Sequence, residues 1–105
     1  MVCIQDGSPQ AAVCAAFADL GQPAVDAALC IVTHESHFGT EAVGHYGGET
    51  YLGMWQLNPR YYQGTMDAWG GNWFDPVAES NVARVIRDQR QNWSAWSTAR
   101  ACGVR

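Results

Sequence analysis

The chain contains no lysine, and that single absence excludes two broad classes of enzyme. Schiff-base chemistry needs the amine as nucleophile, and P-loop phosphoryl transfer needs it to hold the phosphates. Basic charge is scarce altogether. Six arginines stand against ten acidic residues, giving a net charge of −4 and a pI near 5.1. Nucleic-acid binding calls for a basic footprint, so no such partner is expected. No apolar run approaches the ~18 residues of a membrane span. The N-terminal MVCIQDGSP lacks the charged and apolar regions of a secretory signal. It reads as a mature chain, an excised domain with an added Met, or a protein exported by another route. There is also no CxxC pair, which weakens zinc-ribbon and dithiol-redox readings.

With 48% apolar and only 15% charged residues, the 105-residue chain reads as one globular domain, residues 1–105. Its four cysteines, Cys3, Cys14, Cys30 and Cys102, are an even number in a small domain, which suggests two disulfides and an oxidising, extracellular setting. Three pairings are possible, with four buried free thiols as the alternative. The favoured pairing is Cys3–Cys14, stapling the N-terminal arm, with Cys30–Cys102, tying the C-terminus back to a central helix.

Ser8-Pro9 is a cap followed by Pro at the first helical position, and it opens an alanine-rich helix that stops at Gly21. Pro23 opens a second helix, with Asp26 in its first turn and Val25, Ala28, Leu29 and Val32 as its buried stripe, ending at Phe38-Gly39. From Gly44 to Asn58 glycines and tyrosines predict a small irregular β-hairpin, with ETYLGMWQL as its most strand-like part. Tyr61 to Trp73 reads as short helical turns. Asp75-Pro76 begins a further helix, striped by Ala78, Val82, Val85 and Ile86 and leading to Trp93. The expected class is mainly α (α+β): helices around a small irregular β-hairpin, stapled by disulfides.

Glu35 lies along the line of Ala28, Ile31 and Val32 at 100° per residue, so it faces the interior or a cleft. Burial disfavours the charged carboxylate and raises its pKa, as a general acid near neutral pH requires. The bland alternative is a helix-edge glutamate paired with an arginine. Five tryptophans and four tyrosines supply flat faces on which sugar rings stack, though such residues are also ordinary core. His34 and His37, at i and i+3 with His45 or Glu41 near, offer a rival zinc site. However, the metalloprotease motif is His-Glu-x-x-His and this chain reads His-Glu-Ser-His, one residue short. The pair also shares its face with Cys30, away from Glu35, so no metal or other cofactor is expected.

Glu35-Ser36, then GMWQLNP from Gly53 to Pro59, then FDPVAESNVARVIRDQ together resemble the lysozyme-like, soluble lytic transglycosylase superfamily. The closing RQNWSAWSTARACG is similar to the end of resuscitation-promoting factor domains, and the resemblance covers roughly residues 24 to 102. It implies a lysozyme-like fold and a secreted, or phage- or wall-enzyme-borne, monomer. The implied activity is cleavage of the β-1,4 bond between N-acetylmuramic acid and N-acetylglucosamine in bacterial peptidoglycan. It also implies Glu35 as the general acid and Gln56 as a contact to the adjoining sugar. Tyr51, Trp55, Trp69 and His45 become candidates for the cleft wall, and Ser36 either touches substrate or braces the helix end. The Tyr-Asn-Ala-Gly segment of the large transglycosylases is missing. Glu49 is the candidate second carboxylate. Two-carboxylate hydrolysis needs a partner about 5 to 9.5 Å from the acid, whereas transglycosylation recruits the substrate's own N-acetyl and 6-hydroxyl groups. A glycan-binding module without catalysis is the alternative from another class.

Overall fold

The computed structural model describes residues 2–105. Helix α1 (Pro9–Phe17) begins where the sequence signals it: the Ser8 hydroxyl accepts the Ala11 N–H at 3.1 Å, with Pro9 at the first turn. A short 3₁₀ turn (Ala18–Leu20) then leads to Gly21, whose φ of +96° turns the chain into α2 (Gln22–Ser36). Strands β1 (Val43–Tyr46) and β2 (Glu49–Leu52) form an antiparallel hairpin in which Val43 faces Leu52 and Tyr46 faces Glu49. Gly47 and Gly48 close it with φ of +58° and +80°, the two positive values that a tight hairpin turn demands. Helix α3 (Pro59–Asp67) is capped by Asn58, and α4 (Pro76–Arg90) by Asp75. A C-terminal 3₁₀ turn (Ser97–Cys102) completes the chain. Among the described residues no helix is long and apolar enough to cross a membrane. The architecture is mainly helical with one two-stranded sheet and two disulfides, as the sequence predicts.

The core forms where α1, α2 and α4 meet, from Val13 and Phe17, Val25, Ala28, Ile31 and Val32, and Val82, Ala83 and Ile86. Trp55 sits among them with no exposed surface. Its ring lies 5.6 Å from Phe17 and 5.2 Å from Trp96, its indole N–H donates to the Ser80 hydroxyl, and its carbonyl accepts the indole N–H of Trp96. Trp55 is therefore a core residue and not part of a cleft wall, which corrects the sequence-based expectation. The reason is local. Gly53 at φ +77° and Gln56 at φ +51° end the strand, so only the first part of ETYLGMWQL, to Leu52, is strand. Met54 and Trp55 then turn inward together. Val85 is only half-buried, and Ala83 takes the deeper position on α4.

Both disulfides join the pairs favoured from the sequence, Cys3–Cys14 and Cys30–Cys102, each with Cα atoms 5.8 Å apart. The second closes a separation of 72 residues, against 11 for the first. In the chain-entropy account the longer loop restricts the unfolded chain more, contributing about 4 kcal/mol against about 3 kcal/mol for the shorter. A Cys30→Ala/Cys102→Ala double variant should therefore lose more stability in urea melts than Cys3→Ala/Cys14→Ala, with a loss of about 2–5 kcal/mol. Equal losses would contradict this ranking.

Candidate active site

Glu35 occupies the last turn of α2, half-buried. Just beyond it the chain reverses through two consecutive left-handed residues, His37 at φ +53° and Phe38 at φ +62°, and heads for the hairpin. Ser36 fixes the helix end. Its hydroxyl donates to the Met54 carbonyl at 2.7 Å and accepts the Gly39 N–H at 3.2 Å. The hydroxyl's proton and one of its lone pairs are thus used within the protein, and Ser36 braces the helix end.

The Glu35 carboxylate accepts a hydrogen bond from the Thr98 hydroxyl at 2.7 Å. Burial raises the Glu35 pKa above the ordinary glutamate value, while the Thr98 hydrogen bond and the neighbouring His34 oppose the rise. Burial wins, and the group keeps its proton to higher pH than a free glutamate. Thr98 went unnoticed in the sequence. It stands 63 positions from Glu35, and nothing local in Ser-Thr-Ala marks it as a partner for so distant a helix in the chain.

Glu49 is held in the opposite state. One oxygen accepts from the Asn58 side-chain amide at 3.0 Å and the other from Arg60 at 2.7 Å. These contacts, Asn58 first, lower its pKa despite some desolvation. Glu35 contributes nothing to this shift, nor Glu49 to that of Glu35. The Asn58-Pro59 helix start was the available signal for these partners, since it places a capping amide and a following arginine beside the end of the hairpin.

The hairpin sorts the remaining candidates by face. Tyr51 pairs with Gly44, and directly opposed residues share a face, as do residues two apart on one strand. Glu49 and Tyr51 therefore lie on one side of the sheet. A Cβ at Gly44 would overlap the Gln56 side-chain oxygen, which puts the Gln56 carboxamide on that same side. The Gln56 amide donates to the Gly53 carbonyl at 3.0 Å and the Ala42 carbonyl at 3.4 Å, so its orientation is fixed. The half-buried Tyr51 ring faces no side chain across the pair. His45 and Thr50 lie on the opposite side, 3.4 Å apart and exposed to different degrees, so His45 is separated from the Glu49–Tyr51–Gln56 group. Trp69 is 46% exposed after α3, the one tryptophan among the described residues that stands clear of the core.

The histidines do not converge. Among the described residues the only group of possible metal ligands is Cys30, His34 and Cys102, and its two sulfurs are bonded to each other. The proposed trio of His34, His37 and His45 or Glu41 is not assembled.

The model of the lysozyme-like domain family matches residues 11–98, and the chain belongs to that family. The match runs from Ala11, within α1, to Thr98 and so includes every residue placed around Glu35. No curated protein and no solved structure matches the chain. Membership places it among peptidoglycan-related glycosidases and transglycosylases.

Because the Thr98 hydroxyl stabilises the charged carboxylate, removing it should raise the Glu35 pKa further. A carbon-detected NMR titration of Thr98→Val should show the Glu35 midpoint moving up from its wild-type position. A midpoint that stays or falls would mean the hydroxyl does not act on the charge.

Proposed function

We propose that this lysozyme-like domain cleaves the β-1,4 bond between N-acetylmuramic acid and N-acetylglucosamine, with Glu35 as the general acid. The observation that carries the reading is the state of Glu35. It is a half-buried carboxyl group whose proton is retained by desolvation, mounted on a helix end that Ser36 pins. In its neutral form it can protonate the glycosidic oxygen as the bond to C1 breaks. The face of the hairpin bearing Tyr51 and Gln56 is the proposed sugar-binding wall. The ring supplies a stacking surface and the carboxamide a fixed polar contact. With a net charge of −4, attraction to an anionic wall gives no help, and binding rests on stacking and hydrogen bonds. Two disulfides suit action outside the cell.

Between hydrolysis and transglycosylation, the engagement of Glu49 favours the latter. Both of its oxygens are occupied by Asn58 and Arg60, so it is not the free second carboxylate that water activation would use. In the proposed route the N-acetyl carbonyl oxygen of the substrate closes on C1 as the leaving oxygen takes the proton of Glu35. The resulting Glu35 carboxylate then accepts the proton of the 6-hydroxyl, whose oxygen attacks C1, breaking its bond to the acetamido oxygen, restoring the N-acetyl group and forming the 1,6-anhydro end. No water is consumed and Glu35 returns to its protonated form.

Mass spectrometry of fragments released from purified peptidoglycan tests both parts. The wild type should release anhydro-muramyl ends, and Glu35→Gln should reduce the rate by about 10²–10⁴-fold. Reducing ends in the wild type would return the mechanism to a hydrolase. Activity that survives Glu35→Gln would overturn the assignment of the acid.

A further inference from the structure

Glu79 is the least expected residue in the core. It lies on the first turn of α4, 1% exposed, at a position flanked by Ala78 and Val82. One carboxyl oxygen accepts the Trp55 backbone N–H at 2.6 Å. The other is fully buried and has no hydrogen-bond partner among the described residues. The group lies directly against Gly53, where any Cβ would overlap it. A buried carboxyl group with an unmet oxygen costs stability, and an apolar side chain would avoid that cost. Its retention calls for a task, and its contacts point to one.

Gly53 to Gln56 is the turn that Glu79 touches, and the same turn meets the end of α2. The Ser36 hydroxyl bonds to the Met54 carbonyl, one residue before the N–H that Glu79 receives. Gln56 follows at φ +51°, held by the Gly53 carbonyl. The next residue of α4, Ser80, takes the Trp55 indole N–H. The turn is therefore clamped between α4 on one side and the helix bearing Glu35 on the other.

We infer that Glu79 is a positioning residue: its buried carboxyl group seats the Gly53–Gln56 turn and, through Ser36, fixes the end of the helix that carries Glu35. This rests on the reading of Glu35 as the acid, and it adds a second carboxyl group whose charge matters. Burial pushes Glu79 up to about 9, opposed only by the Trp55 hydrogen bond. The charged groups of the elements around it contribute nothing to that shift: Glu35, His34 and Asp26 of α2, Asp19 beyond α1, Arg60 and Asp67 of α3, or Arg84, Arg87 and Asp88 of α4. At neutral pH Glu79 is a neutral acid. Its ionisation would put an uncompensated charge beneath the turn and unseat it. The sign for stability follows. The unfolded glutamate loses its proton near 4.5 and the folded one near 9, so folding takes up a proton between these values. Stability falls across that window as pH rises, and a neutral replacement does not share the loss.

Glu79→Gln mimics the neutral acid, keeping an acceptor for Trp55, whereas Glu79→Leu removes it. The test follows kcat and KM on peptidoglycan from pH 5 to 10, urea melts, and the difference in tryptophan emission between wild type and Glu79→Gln, in which the other four tryptophans are common to both. Glu79→Gln should keep wild-type kcat near pH 7. It should also lose the wild-type emission change near pH 9, and its stability margin over the wild type should widen as pH rises from 6 to 8.5. Glu79→Leu, where folded, should lower kcat roughly 10-fold with KM within about twofold, the pattern of a misplaced catalytic group rather than of lost substrate binding. A folded Glu79→Leu with wild-type kcat would overturn the inference. So would a Glu79→Gln variant that retains the alkaline emission change. Should Glu79→Leu fail to fold, the Gln variant carries the decision alone. A wild type without activity on peptidoglycan would overturn the functional reading, and the emission and stability arms would still decide whether Glu79 seats the turn.

Discussion

The five-residue turn from Gly53 to Leu57 is where the helices, the hairpin and the C-terminal segment are joined. Its backbone is buried, so its N–H and C=O groups must find partners inside the protein. They find them on every neighbouring element. Ser36 donates to Met54, Glu79 accepts from Trp55, Trp96 donates to the Trp55 carbonyl, and Leu52 and Leu57 exchange backbone hydrogen bonds. Its side chains do the same for the apolar core, with Trp55 stacked between Phe17 and Trp96. Glu35 is held near this junction because its own helix ends against it. Glu35 is positioned by the core of the domain.

Three glutamates illustrate how environment assigns roles to one side chain. Glu35 is half-buried with a single hydroxyl donor, and burial prevails. Glu49 has an amide and a guanidinium, and the charged form prevails. Glu79 is sealed with one backbone donor, and the neutral form prevails by the widest margin. The ranking follows from counting donors against desolvation. It separates a group able to donate a proton to substrate, one held as an anion at the hairpin, and one enclosed beneath the turn.

Most of the scaffold was legible in the sequence because its signals are local. Ser8-Pro9 and Asp75-Pro76 each mark a helix start by chemistry within three residues, and the glycine-rich stretch marks the hairpin, whereas the same signal at Asn58-Pro59 was passed over for a start at Tyr61. The half-buried position of Glu35 was legible from helical phase, and its candidate role came from the resemblance. The Cys30–Cys102 bond, though long-range, left few alternatives among four cysteines. What escaped reading was set by tertiary contact. Trp55 was placed on the cleft wall by the resemblance and its flat ring, and the left-handed φ of Gln56, a residue with a Cβ, gives no warning that the strand ends before it. Thr98 reaches Glu35 only after the C-terminal 3₁₀ turn has docked on α2. Glu79 did leave a trace. With Val82, Ala83 and Ile86 it forms an i, i+3, i+4, i+7 pattern, which places a carboxyl group squarely in an apolar stripe. His45 was drawn in by its closeness in sequence to Glu49, although pairing with Thr50 sends it to the other face of the sheet.

The central claim is that the proton retained by Glu35 is the one delivered to the substrate, and the pH dependence of kcat/KM on peptidoglycan tests it most directly. That ratio reports the free enzyme's essential groups. The account predicts an alkaline limb whose midpoint coincides with the titration of Glu35, above the ordinary glutamate value, and which moves upward in Thr98→Val. A profile that is flat across the Glu35 titration, or a limb that Thr98→Val leaves in place, would contradict it.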